Sequence, residues 1–302
     1  MEPIIPPVDR SLILAELTEE KLLRKTNNGN NEIYIVTAQN SPNIMQELGR
    51  LRELSFRDAG GGTGAAVDID DEDLAEEGYQ QLFVWDPKAQ EIVGGYRFIV
   101  SRTTHPKHMS TEHYFRFSDR FRNEFLPYTI ELGRSFVQPL YQGIRQNPKG
   151  LYSLDNLWDG LGALVITNPD MKYFFGKVTM YGDYNREARD ILLYFLKKYF
   201  PDHDNLTEGT SPIELQFDTE KMEQMFCGGN YAEDYKILTR EIRKCKENIP
   251  PLINSYMNIS PSMRVFGTVT NPDFGGVEET GILITINDIY PVKSERHFKM
   301  VK

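Results

Sequence analysis

The stretch Thr129-Ile130-Glu131-Leu132-Gly133-Arg134-Ser135-Phe136-Val137 constrains the fold more than any other part of the chain, because it reads as a strand that breaks its own alternation. Successive side chains of a strand point to opposite faces, so Glu131 and Arg134 face apart unless a bulge intervenes. Gly133 permits such a bulge. A bulged central strand leaves backbone N–H and C=O groups unpaired beside a ligand, which suits an extended amide-containing chain. The same spacing also suits a plain structural Glu–Arg ion pair.

The remaining pattern supplies a sheet for that strand. Asp9 or Ser11 caps a helix expected through ILAELTEEKLLRK, which ends at TNNGNN, and EIYIVTA at 32–38 is a strand. Asn40 and Ser41 then cap a helix with apolar Ile44, Leu48, Leu51, Leu54 and Phe56, leaving Arg50, Arg52 and Arg57 on or near its exposed edge. Residues 59–78 are glycine-rich and then acidic, and read as a long mobile loop with Gly60 to Gly64 as the hinge of a lid. A β-hairpin follows at QQLFVWD and EIVGGYRFIVSR. The aromatic and basic run from His105 to Phe125 reads as a short helix plus loop. Leu151 to Thr167 is a buried helix, KYFFGKVTMY at 172–181 a strand, and Asn185 caps an amphipathic helix. After Ser211 come a short strand IELQF, helices around 219–226 and 231–247, the segment PPLINSYM, and the β-rich runs MRVFGTVT and GILITINDIY. The economical reading is one α/β domain over residues 1–302, with a mixed sheet, a core of about 30–210 and a C-terminal extension of about 211–302.

Composition narrows the function. The chain carries 34 Lys and Arg against 44 Asp and Glu, a formal charge of -10, so long-range repulsion opposes a general nucleic-acid or anionic-membrane binder. No run approaches the roughly 18–20 apolar residues that span a bilayer, and MEPIIPPVDR lacks the features of a secretion signal. The 2 cysteines, Cys227 and Cys245, form no CxxC motif, so no metal site and no disulfide scaffold is expected and a reducing cytoplasm is the default. His105, His108 and His113 lie close together without HExxH spacing, and read as a solvated loop cluster. The glycine run lacks the Gly-Lys-Ser/Thr ending of a phosphate-binding loop, and Ser135 has no recognisable activating base.

The run from Glu131 to Val137, with Pro139, Tyr141 and Leu157-Trp158 after it, resembles the signature of bacterial ornithine-lipid-type N-acyltransferases, often labelled hemolysin-like, of the GNAT superfamily. The resemblance continues in Arg52 and Phe56, in Asp68, Asp70 and Asp73, in Leu82-Phe83-Val84 and Val93-Gly94-Gly95-Tyr96-Arg97, and later in Ile249-Pro250-Pro251-Leu252, Tyr256 and Asp273-Phe274. A more distant similarity is to acyl-homoserine-lactone synthases, through Arg52, Asp70 with Asp73, Arg97, Glu131 and Arg134. The resemblance implies a GNAT-like fold, with a mixed, mostly antiparallel sheet flanked by helices. It also implies transfer of an acyl chain from acyl carrier protein to the amine of an amino acid, of ornithine or glycine type. The donor would be an acyl-phosphopantetheine thioester, and no permanent cofactor is expected.

Roles follow from that implied chemistry. An amino acid's amine is mostly protonated at neutral pH and must lose a proton before it attacks a thioester. Glu131 is the expected base, directly or through one water. Backbone N–H groups of the splayed strand around Gly133 to Phe136 would stabilise the oxyanion, at about 3 kcal/mol per donor, and Gly133, Ser135, Phe136 and Val137 are expected to bind substrate. Arg134 or Arg97 would bind the acceptor carboxylate or orient Glu131, and Asp70 and Asp73 would order the site through Arg52 or Arg97. Arg52 and Phe56 are expected to contact substrate. In place of the glycine turn that holds the pyrophosphate of CoA in other GNAT proteins stands Ile144-Arg145-Gln146-Asn147-Pro148-Lys149-Gly150, which favours a carrier-protein donor. No clean motif places the tyrosine acid; Tyr181, Tyr184 and Tyr194 are all near.

Acyl carrier protein is acidic, so docking needs a concentrated basic patch: Arg116, Arg120 and Arg122, or Lys197 and Lys198, or Arg240, Arg243, Lys244 and Lys246. Tyr114 to Phe125 and Tyr173 to Phe175 are expected to line an acyl tunnel, and peripheral contact with the inner membrane is in keeping with a lipid-like product. The competing readings are a CoA-dependent GNAT acetyl- or acyltransferase, a signal synthase of the acyl-homoserine-lactone type, and a non-catalytic module that binds carrier protein.

Overall fold

The computed structural model describes residues 1–103, 109–142, 150 and 152–298. The first half of the chain forms α1 (Arg10–Glu16), β1 (Leu22–Lys25), β2 (Glu32–Val36), α2 (Pro42–Asp58), α3 (Asp71–Leu74), β3 (Gln80–Asp86), β4 (Glu91–Val100), β5 (Phe115–Phe117) and β6 (Thr129–Val137). The second half forms α4 (Ser153–Thr167), β7 (Tyr173–Met180), α5 (Arg186–Tyr199), β8 (Thr207–Gly209), α6 (Thr219–Met225), α7 (Tyr231–Lys244), α8 (Pro251–Met257), β9 (Arg264–Asn271), β10 (Val277–Thr285) and α9 (Pro291–His297). Eight strands join in one sheet of order β1-β2-β3-β4-β6-β7-β10-β9, while β5 and β8 make a separate ribbon. Every pair in the large sheet is antiparallel except β6 with β7. It is the mixed, mostly antiparallel sheet flanked by helices that the resemblance implies, and the residues after 211 complete it with β9 and β10.

Strand β3 shows how the layers form. Its run Leu82-Phe83-Val84-Trp85 is apolar at every position because both faces are covered. Phe83 and Trp85 meet Ile44, Leu48 and Leu51 of α2 on one face, while Leu82 and Val84 join Leu157 and Leu161 of α4 and Ile191 and Leu192 of α5 on the other. The Asn185 side chain accepts hydrogen bonds from Glu187 N and Ala188 N, and so starts α5. Gly94 of β4 has no room for a side chain, since a Cβ there would stand 2.4 Å from Phe136 O.

Several expectations require correction. The first helix ends at Glu16, where Lys21 Nζ reaches the Glu16 carbonyl at 2.9 Å, and Leu22 to Lys25 form β1 against Tyr34, Ile33 and Glu32. An amphipathic run this short fits either period, and pairing with β2 decides it. IELQF makes no strand; Pro212 bridges Val269, and Gln216 N is taken by Asp190 Oδ2 at 3.0 Å instead of a ladder partner. The aromatics from Phe115 to Phe125 are packed core, not tunnel: Phe121 stacks with Phe117, Phe125, Phe175 and Phe266 at centroid separations from 4.6 to 6.1 Å. Of the expected tunnel residues, Phe174 and Phe175 alone reach a described cavity.

The segment from Ala59 to Gly78 is ordered rather than a mobile lid. Asp70 caps α3 in a reciprocal box with Asp73. The glycine run folds onto the buried Glu53, whose carboxylate accepts from Thr63 N (3.0 Å), Thr63 Oγ1 (2.8 Å), Gly64 N (2.8 Å) and Arg57 Nε (2.6 Å). Burial works against the charge, but the bonds from Arg57, Thr63 and Gly64 outweigh it and hold the carboxyl below its ordinary range. Glu53→Gln is therefore expected to cost roughly 1–3 kcal/mol near neutrality, read from urea unfolding midpoints. Because the folded pKa is depressed, this contribution is present above the ordinary carboxylate pKa and fades as pH falls through the folded value, so the two proteins converge in acid.

Candidate active site

Strands β6 and β7 run side by side only from Thr129 opposite Tyr173 to Leu132 opposite Gly176, and then part. Gly176 marks the last contact, where a Cβ would lie 2.6 Å from Leu132 O. On the other side of β6, Gly95 faces Phe136 but Arg97 faces Gly133, so β6 carries one extra residue there. That is the bulge, and Arg134 rather than Gly133 takes the left-handed backbone, with φ of 51°. A non-glycine residue in that conformation is strained by about 1–2 kcal/mol, which its surroundings must hold. Arg134 Nε stands 3.0 Å from Asp68 and Nη2 3.4 Å from Asp70, and its guanidinium lies 4.9 Å over the Phe274 ring.

Three further segments deliver charge to this gap. Arg52 is not on the exposed edge of α2 but 1% exposed, with Nη1 3.0 Å from Asp73 and Nη2 on the Gln81 side-chain oxygen. Arg97 of β4 is 2% exposed; its Nη1 meets both Asp70 oxygens at 2.7 Å and Asp73 at 3.2 Å, its Nη2 meets Glu72 at 3.3 Å, and it lies over Tyr79. Burial would push the Asp73 carboxyl up, but Arg52 and Arg97 hold it well below the usual range. Asp68 goes the other way, raised by burial that Arg134, Arg52 and Arg97 only partly offset. Arg52, Asp70, Asp73, Arg97 and Arg134 thus form one network beside the bulge.

Glu131 does not pair with Arg134. Its side chain is fully buried; Oε1 accepts from Ser110 Oγ and from Thr111 N, both at 3.0 Å. Burial raises its pKa, against hydrogen bonds from Tyr79, Ser110 and Thr111 and the charge of Arg97. Ser110, absent from the sequence-based site, is the residue through which Glu131 meets the space outside.

That space is a cavity of about 540 Å³ where β6 and β7 diverge. Its wall includes Phe56, Arg97, Ser110, Gly133, Arg134, Ser135, Phe136 and Val137, and across from them Lys177, Tyr181 and Glu279. A narrow apolar cleft shares Leu154, Leu157 and Leu252 with it and runs on to Trp158, Leu161 and Tyr256. Phe56 packs edge-on to Phe136 and Phe274 at 6.5 and 5.1 Å. Arg52, Asp70 and Asp73 stand behind the wall rather than in it.

Of the three tyrosines, Tyr181 and Tyr184 line the cavity, whereas Tyr194 packs between Phe217 and Phe226. Burial raises the Tyr181 hydroxyl, with Glu279 adding to it. The basic clusters are largely matched by acids: Arg120 by Glu124 and Asp204, Arg122 by Glu112, Lys198 by Asp234, and Arg240 and Lys244 by Glu241. Arg243 and Lys246 are exposed close to Glu247, which borders the cavity. His113 meets Glu72 at 2.8 Å; His105, His108, Leu151 and Gly143 to Lys149, most of the segment replacing the pyrophosphate turn, lie outside the described residues. Among the described residues no cluster of histidine, cysteine and carboxylates could hold a metal ion, and no helix is long and apolar enough to cross a membrane.

Residues 51–148 match the acetyltransferase (GNAT) domain family. Two relatives, each named glycine N(alpha)-acyltransferase, are 54% identical over 304 residues; the one from Phocaeicola vulgatus covers 99% of this chain and 93% of its own, and the one from Bacteroides thetaiotaomicron 99% and 90%. A crystal structure of the AHL synthase LasI aligns with 10% identity and a TM-score of 0.33, over 55% of this chain and 78% of that one.

Proposed function

Because the chain belongs to the glycine N-acyltransferase family of GNAT proteins and is itself an N-acyltransferase, we propose that it moves a (3-hydroxy)fatty acyl group from acyl carrier protein to the amine of glycine. The product is an N-acyl amino acid, a lyso-aminolipid precursor in lipid biosynthesis. Glycine takes precedence over the ornithine of ornithine-lipid enzymes because both relatives, aligned over 99% of the chain, carry its name.

The observation that supports this reading most is the cavity at the parting of β6 and β7, with a charged floor beside an apolar cleft. The thioester lies along β6, with its carbonyl oxygen toward backbone N–H groups between Gly133 and Phe136, which are fixed before the oxyanion forms. Its tail enters the cleft toward Trp158 and Leu161. The acceptor amine loses its proton to Ser110 Oγ as Ser110 passes its own to Glu131, so the buried carboxylate is the base and the serine its contact with substrate. Arg97, already matched by Asp70, Glu72 and Asp73, keeps Asp70 and Asp73 in place and through Tyr79 the neighbourhood of Glu131; Arg134 fixes the bulge. Tyr181, kept protonated by burial, returns a proton to the departing thiolate.

The carrier protein docks at Arg243 and Lys246 at the end of α7, because Glu247 to Leu252 border the cavity and the Arg116 to Arg122 cluster is mostly paired with acids. The reaction belongs in the cytoplasm, with peripheral contact at the inner membrane where an amphipathic product is released.

Mass spectrometry tests the reading directly. Purified protein mixed with 3-hydroxyacyl carrier protein and a pool of amino acids is expected to yield N-acylglycine ahead of every other N-acyl product. N-acylornithine instead would overturn the acceptor. Consumption of acyl-CoA with carrier protein untouched would overturn the donor, and carrier binding without turnover would point to a binding module.

A further inference from the structure

Lys177 and Glu279, two charged residues of the cavity wall, have no part in the mechanism above. Lys177 of β7 and Glu279 of β10 form an ion pair in the half of the wall opposite the bulge. Glu279 sits opposite Thr179 across the β7–β10 ladder, so the two strands hold its carboxylate and the Lys177 ammonium against each other. The Lys177 side chain is 11% exposed and that of Glu279 2%. Replacing such a pair by apolar residues is often neutral or stabilising, so a pair kept in a cavity wall calls for a reason beyond stability.

The charges around the pair are arranged unequally. Arg97 and Arg134, the other cations of the wall, each meet two or more carboxylates from the segment Asp68 to Asp73. Among the described residues, Lys177 meets the single carboxylate of Glu279 and lies 4.5 Å over the ring of Tyr114. Lys177 is therefore the wall cation with the most to gain from one more anion. Burial already pulls its pKa down, opposed by Glu279, while Arg134 and Arg97 add to the lowering.

We infer that Lys177 and Glu279 are the docking pair for the acceptor's own two charges: the ammonium of Lys177 receives the carboxylate of an α-amino acid, and the carboxylate of Glu279 receives its amino group. The ion pair opens, and the bound zwitterion restores it as a ring of four alternating charges, so neither buried group is left unmatched. Glycine fits because both of its charges stand on one carbon. Ser110, whose hydroxyl reaches Glu131, lines the same cavity, so an acceptor held by Glu279 shares that space with the group that removes its proton. An amine with no carboxylate leaves Lys177 and Glu279 paired with each other and gains nothing from the site.

This inference rests on the acceptor being an amino acid, as proposed above. The test is steady-state kinetics on the full chain, with acyl carrier protein saturating and the acceptor varied, comparing the wild type with Lys177→Met, Glu279→Gln and the charge-swapped double variant Lys177→Glu/Glu279→Lys. Each single variant is expected to raise the KM for glycine about tenfold to a hundredfold with kcat changed much less, as loss of a charge-assisted bond implies. Glycinamide separates the roles. Wild type should discriminate strongly against it, and Lys177→Met should lose most of that discrimination. The charge swap should melt close to wild type while staying defective toward glycine, because it keeps the pair but reverses the polarity the zwitterion needs. Unchanged KM values in the single variants, or glycine activity restored by the swap, would show the pair to be structural. If wild type prefers another amino acid, glycine falls as acceptor and the same comparison with that amino acid decides the pair. Preference for an amine lacking a carboxylate would overturn both.

Discussion

Arg97→Met is expected to cost about 3–5 kcal/mol of folding free energy, a large part of the 5–15 kcal/mol that typically separates folded from unfolded protein. The arginine is 2% exposed, and its fork contacts Asp70, Glu72 and Asp73 together. Removing it leaves Asp73, itself buried, with Arg52 as its remaining cation, and leaves Asp70 with the more distant Arg134. The cost is therefore the desolvation of anions left without a partner. Urea unfolding of wild type and variant measures it. Lysine at this position should restore little, because one ammonium does not reproduce a guanidinium that grips both Asp70 oxygens with one nitrogen and reaches Glu72 with the other. Neutralising Asp73 in the same chain should recover part of the loss, and a double-mutant cycle reads that coupling. A midpoint within experimental error of wild type would show that the acidic segment does not depend on this arginine.

Glu131→Gln should separate chemistry from folding in the opposite way. The amide keeps an oxygen for Ser110 Oγ and Thr111 N, so the local bonds survive, but it takes no proton. Expected is a fall in kcat of about a hundredfold to ten-thousandfold, the usual worth of a general base. Ser110→Ala, which cuts the contact between Glu131 and the cavity, should reproduce much of it. Stability should not fall. The folded pKa of Glu131 is raised by burial, so its stabilising contribution is present below the ordinary carboxylate pKa and lost as pH rises through the folded value. The glutamine variant has no such loss, and relative to wild type its melting temperature should improve with rising pH. Turnover within tenfold of wild type would remove Glu131 from the proton path.

What the sequence made legible was local. The bulge followed from Glu131, Gly133 and Arg134 lying within one strand, and the start of α5 from Asn185, because each depends on neighbours in the chain. The residue that bears the left-handed backbone was not legible, since glycine is the default and contacts from Asp68, Asp70 and Phe274 are what hold Arg134 there. Helical spacing alone put Arg52 on the surface of α2, because its partners, Asp73 and Gln81, lie 21 and 29 residues away, and only the resemblance tied it to Asp73. Lys177 and Glu279 are 102 residues apart, and nothing in either strand's own sequence points to the other until β10 pairs with β7. Ser110 sat in a stretch read for its aromatics and histidines, and nothing in its spacing pointed toward Glu131.

The strand order has a consequence for synthesis. β10 is the neighbour of β7 on the side away from β6, and among the described strands it is the last to leave the ribosome. Domains emerge and begin folding from the N-terminal end, so β1 to β4, with α2 across them, can assemble while Lys177 is still without Glu279. Glu279, the residue that β10 contributes to the cavity wall, is in place only once it has emerged and the hairpin with β9 has closed on β7. A nascent or truncated chain that lacks β10 can therefore build the Arg52–Asp73–Arg97 network while Lys177 still has no Glu279, so the cavity wall is finished only when β10 has been made.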